Sequence, residues 1–92
     1  MAIKGIVWLV GKGVCGGGTT LGIYSKRDIA LERVDKIIRS YGIQWKGKPL
    51  SVDNYPQKNV HRNRGSIKWT GLYGAWVYLQ KREVDDDDGT RA

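Results

Sequence analysis

The chain has no phenylalanine, and its only methionine is Met1, so an apolar core has to be assembled from Trp, Tyr, Ile, Val and Leu. A single cysteine, Cys15, excludes an intramolecular disulfide and a cysteine-based zinc site, and it suits a reducing compartment. Cys15 and the single histidine, His61, are the only residues of their types for a nucleophile and its base. They lie in separate segments with nothing to orient either one, so nucleophilic catalysis is not expected. The apolar run Ile6 to Val10 is too short for a signal-peptide core or a bilayer span, and the expectation is a soluble cytoplasmic protein. Acids are scarce as well: residues 1–82 hold 15 Lys and Arg against four Asp and Glu, a net of +11, before the segment Glu83 to Asp88 returns five negative charges. A body with that field attracts polyanions.

At 92 residues there is room for one domain with a single modest core. Four tryptophans are many for that length. Trp8 and Trp76 fall in apolar runs and read as core anchors. Trp45 and Trp69 stand beside lysines and read as exposed.

Helix signals are strongest from Lys26 to Ser40. Ser25 is placed to cap the N-terminus with Asp28 three residues on, and Tyr24 and Ile29 suit a hydrophobic staple. Gly42 suits a left-handed C-terminal residue, with Ile43 reaching back to Ile38. Ala30, Leu31, Val34, Ile37, Ile38 and Tyr41 form one apolar stripe. The opposite face carries Glu32 with Lys36 and Asp35 with Arg39 at i,i+4 spacing, so the helix reads as a solvated brace rather than a groove-reading element.

Strands flank the helix. Ile3 to Val10 is nearly continuous in apolar residues, as in a strand covered on both faces. Thr19 to Tyr24 is a second strand. Ala75 to Val84 alternates, with Val77 and Leu79 on one side and Trp76, Tyr78 and Gln80 on the other, and Ser66 to Thr70 is a further short strand. The fold class that follows is α+β: one amphipathic helix packed on a small, mostly antiparallel sheet in the order ββα, a long loop, then one or two strands. Residues 1–84 form the domain and 85–92 an acidic, disordered tail able to fold back over basic surface. The strand at Ala75 to Val84 reads as an exposed edge that Lys81 and Arg82 keep from strong self-pairing, giving a monomer or weak homodimer.

Two motifs fail on inspection. Gly11-Lys12-Gly13-Val14-Cys15-Gly16 satisfies G-x-G-x-x-G, but a strand follows it where a dinucleotide site needs a helix, so it reads as a flexible hairpin connection. Asp85 to Asp88 lacks the alternating ligand spacing of a calcium loop. No cofactor, metal site or paired-carboxylate chemistry is expected, and the chain reads as non-enzymatic.

Between Gln44 and Lys68 six basic residues face one acid, Asp53, with aromatics interleaved. The candidate binding residues are Trp45, Lys46, Lys48, Tyr55, Lys58, His61, Arg62, Arg64, Lys68 and Trp69. Positive charge beside flat rings suits an acidic protein face or single-stranded nucleic acid. Loop formers throughout this stretch predict a long loop whose Lys58, His61, Arg62, Arg64 and Lys68 share one rim if it is ordered.

The opening apolar strand, the Gly-Thr-Thr-Leu-Gly-Ile-Tyr-Ser run at Gly18 to Ser25, and the helix with Ala30 and Val34 inside resemble small accessory proteins of bacteriophages and prophages. The resemblance covers about Ile3 to Gly42 and the last strand, carries over no functional residue, and does not include Trp45 to Lys68. It implies a protein that binds and redirects or inhibits host transcription, nuclease or defence machinery. The leading expectation is therefore a non-enzymatic, phage-type protein docking on an acidic host protein or nucleoprotein complex. The alternative is direct nucleic-acid binding, with Lys and Arg on phosphates and Trp45, Tyr55 or Trp69 stacking on bases.

Overall fold

The computed structural model describes residues 4–14 and 17–85. Two long strands open the chain, β1 (Lys4–Val14) and β2 (Gly17–Tyr24), followed by α1 (Arg27–Ser40). Next come a miniature hairpin of β3 (Gln44–Trp45) and β4 (Lys48–Pro49), a 3-10 helix (Gln57–Asn59), and the strands β5 (Val60–Asn63), β6 (Ser66–Leu72) and β7 (Ala75–Asp85). The main sheet has the order β2-β1-β7-β6-β5, and every neighbouring pair is antiparallel. This is the α+β arrangement expected from the sequence, with one helix against a mostly antiparallel sheet.

The helix buries Ala30, Val34, Ile37 and Ile38, which lie on its apolar stripe. Val10 of β1, Trp69 and Leu72 of β6, and Ala75, Val77 and Leu79 of β7 meet them from the sheet. At the C-terminus Gly42 is left-handed (φ +68°) and its N–H donates to the Arg39 carbonyl at 3.1 Å, as a glycine after a helix end should. The N-terminus differs from expectation. Lys26, not Ser25, is the extended capping residue; its carbonyl accepts from Ala30 N–H at 3.2 Å, and no side chain caps the turn. Of the two anticipated helix ion pairs, Asp35–Arg39 forms at 2.7 Å, whereas Glu32–Lys36 is not among the ion pairs of the described residues.

Three expectations are corrected. The strand at Ala75 is not an edge: β7 lies between β1 and β6, and the edges of the sheet are β2 and β5. The glycine-rich stretch is mostly strand, since β1 runs through Val14 and pairs with β2 as far as Val14 opposite Gly17. The segment from Gln44 to Lys68 is not one long loop. Leu50 and Tyr55 enter the core, Asn54 ties Ser51 and Pro49 through its side-chain amide, and Asp35 accepts the Val52 N–H at 2.9 Å. Three short hairpins also use X-Gly turns with both φ angles positive, at Lys46-Gly47, Arg64-Gly65 and Tyr73-Gly74, which fit the right-handed twist of the strands they join.

Strand alternation gives the sheet two unlike faces. The helix covers one. On the other, among the described residues, no second layer packs, so β1 is not covered on both sides as its apolar run suggested. The acidic residues 86–92, and Cys15 with Gly16, lie outside the described residues.

Candidate functional site

The uncovered face is built around β7. Trp76 and Tyr78 point to it because Val77 and Leu79, their neighbours in sequence, point into the core and are fully buried. In register, Trp76 sits opposite Gly13 and Tyr78 opposite Gly11 on β1. On the other side they face Thr70 and Lys68 of β6. With no side chain on the glycines, both rings tip toward β1 and lie on its backbone. A Cβ at Gly11 would strike the Tyr78 ring, and one at Gly13 would strike the Trp76 indole. A Cβ at Gly18, across in β2, would come within 2.6 Å of that indole. The G-x-G pattern thus serves close approach of aromatic rings to backbone, not a phosphate.

Tyr78 is held by a hydrogen bond between its hydroxyl and Thr20 Oγ1 at 3.0 Å. The Trp76 and Tyr78 centroids are 5.5 Å apart with planes tilted by 40°, so the pair forms a continuous aromatic floor. The Lys68 ammonium lies over Trp76, 4.8 Å from the ring centroid. A cation–π contact at an exposed site is worth about 0.5–1 kcal/mol, little enough to exchange for a phosphate. The groove above this floor has a volume of about 480 Å³, and His61, Asn63 and Lys68 line it beside the two rings and Gly18. Arg82, also exposed, extends the face along β7. No Asp or Glu occupies a position on this face among the described residues.

The residues singled out from sequence divide into separate sets. His61 and Lys68 come together on the open face, adjacent in register. Arg64 is at the tip of the β5–β6 hairpin, and Arg62, one residue from His61, points to the opposite face and donates to Gln57 Oε1 at 3.3 Å. The single rim expected for these side chains is therefore broken by strand alternation. Lys58 is exposed on the 3-10 helix. Lys46 and Lys48 are exposed on the β3–β4 hairpin, where the Lys46 ammonium lies 5.7 Å from the half-buried Trp45 ring. Trp45 packs against the core from the helix side.

Two aromatic expectations are corrected. Trp69 is only 2 % exposed and Tyr55 only 4 %, both in the core, so neither offers a ring for stacking. The Tyr55 hydroxyl donates to the Thr70 carbonyl, and burial pushes its pKa up to about 12. Conversely Trp76, read from sequence as a core anchor, is on the open face. The sequence did hold a signal for it: alternation separated Trp76 and Tyr78 from Val77 and Leu79, and glycines at every second position of a strand mark room for rings.

Among the described residues no cluster of three or more His, Cys, Asp or Glu is placed to hold a metal, and no helix is long and apolar enough to cross a membrane. Comparison of the chain with protein-family models, with curated proteins and with solved structures gives no match.

Proposed function

We propose that the protein binds single-stranded nucleic acid on the open face of its sheet. The observation that carries this reading is the Trp76–Tyr78 pair packed against Gly11, Gly13 and Gly18 on the open face, with Lys68 over Trp76. Rings seated on glycine backbone on a face without a second layer are accessible to an incoming base once the weak Lys68 contact is exchanged, and each stacked base contributes about 1–3 kcal/mol. Lysine, arginine and histidine around the floor, with no carboxylate among them, supply the field that holds a phosphate chain. Unpaired bases are the target because bases within a duplex have no free faces to stack.

The test is fluorescence anisotropy with labelled oligothymidylate and oligouridylate against a duplex of equal length, across a salt series. Binding to the single strands is expected, weakening log-linearly with salt by about 0.7 per neutralised phosphate. The absence of any binding at low salt would overturn the reading. A protein partner that then survives nuclease treatment would return the open face to a docking role of the phage-accessory kind.

A further inference from the structure

Resting on that reading, we infer that the bound strand does not end on the aromatic floor but continues around the β5–β6 hairpin into a second, arginine-lined groove. This groove, of about 300 Å³, is lined by Arg27 at the start of α1, by Arg62 on β5 and by Arg64 at the hairpin tip. It shares Asn63 and Ser66 with the groove over Trp76 and Tyr78, so the two meet at the closing pair of the hairpin. Strand alternation, which removes Arg62 from the open face, is what carries it to this second groove.

The chemistry of the lining fits phosphodiester oxygens. Neither Asp nor Glu lines it, and none of the three arginines is in an ion pair among the described residues. Arg62 donates only to a neutral amide, that of Gln57, and the Arg27 guanidinium lies 5.8 Å from the Trp8 ring centroid. A cation–π contact of that kind uses none of the N–H donors of a guanidinium in a hydrogen bond to a carboxylate, which leaves them for phosphate. Arg64 holds a left-handed conformation (φ +44°) that Asn or Gly adopts with less strain, so the position carries charge at the expense of turn stability. The tip is not loose: Lys81 N–H donates to the Gly65 carbonyl at 3.2 Å and anchors the hairpin to β7.

A trimer of thymidylate would occupy the aromatic floor alone, whereas a twelve-mer would also reach the arginines. The experiment measures both lengths, and their uridylate counterparts, against the unmodified protein and the Arg27→Ala, Arg62→Ala, Arg64→Ala triple variant. The longer strand is expected to bind more tightly, on the order of tenfold, with an advantage that collapses in the variant while the trimer's affinity stays within about twofold. The salt slope for the long strand should fall by roughly 2 as three phosphate contacts are lost. The thymidylate and uridylate arms show whether the partner is DNA or RNA. Should the triple variant not fold, Arg62→Gln with Arg64→Asn keeps the Arg27 contact on Trp8 and asks the same question. Equal losses at both lengths, or none for the long strand, would overturn the continued path and leave the open-face site standing. No binding by the unmodified protein at either length would overturn both.

Discussion

Tyr78 lies with its phenol group on the backbone of Gly11, its register partner across β1 and β7, and the three atoms nearest to a Cβ built at Gly11 all belong to that phenol group. The two positions are therefore coupled through space rather than each fitted to the sheet alone. Gly11→Ala should destabilise the fold by roughly 1–3 kcal/mol, as overpacking does, when measured by urea unfolding. In a Tyr78→Ala background the same change should be close to neutral, because the obstructing ring is gone. Equal penalties in both backgrounds would show that the glycine is needed for another reason.

The tryptophans should divide by face. Trp76→Ala removes a stacking platform and is expected to lower affinity for oligothymidylate by roughly 1–3 kcal/mol. Trp69→Ala empties a core site and should reduce stability by about 3–5 kcal/mol. Binding per folded molecule should be unchanged in the second case. Paired urea curves and anisotropy titrations check both, and the reverse assignment would refute the placement of the faces.

Tyr55 makes a prediction about pH. Its hydroxyl has an ordinary pKa of 10.0 when unfolded and about 12 in the fold, because burial penalises the phenolate. Between these values the unfolded chain gives up a proton that the folded one keeps. The stabilisation is thus complete below pH 10 and lost as pH rises toward 12, at roughly 1.4 kcal/mol per pKa unit. Tyr55→Phe should cost about 1 kcal/mol at neutral pH through the lost bond to Thr70, yet narrow the gap to the parent protein as pH rises past 10. Urea midpoints from pH 8 to 11 give the comparison, and a constant gap would sink the assignment.

Tyr73 occupies the first central position of the β6–β7 turn with φ +52° and is 83 % exposed. Its side chain has little packing to lose, while its backbone is in a region that asparagine enters more readily. Tyr73→Asn is therefore expected to raise stability by about 0.5–1 kcal/mol in thermal or urea unfolding. A loss of stability would mean that the exposed ring has a partner within the fold.

Much of the local structure is legible in the sequence. The apolar stripe of α1 names the residues that are buried, Gly42 marks the helix end, and the alternation around Val77 and Leu79 assigns β7 its two faces. These signals are local, depending on side chains a few residues apart and on the periods of helix and strand. The capping residue is Lys26, one position past the Ser25 that the sequence suggests, because the chain leaves its extended conformation only after Lys26.

The candidate site was legible only in part. The basic character of His61 and Lys68 marks them in the sequence, and both line the open face. Tyr55 and Trp69 stand near basic residues in sequence, yet their rings are in the core. Proximity in sequence to a lysine does not decide the side of a strand on which a ring emerges. In β6, Lys68 and Trp69 are adjacent and point to opposite faces, and the same alternation separates His61 from Arg62 in β5.

Aromatic alternation by itself determined that Trp76 and Tyr78 share a strand face, whereas Gly11 and Gly13, which read as a hairpin connection, gain a face only because β1 runs on to Val14. Only the tertiary structure decided that those faces are one, by pairing β1 with β7 in the register Gly11–Tyr78 and Gly13–Trp76. Such pairing joins the two ends of the chain, and what selects it is the burial of Val10, Val77 and Leu79 under α1. A shift of one residue would turn one strand's whole apolar set to solvent, so the helix side fixes the register. The aromatic floor on the open side is set by that same constraint.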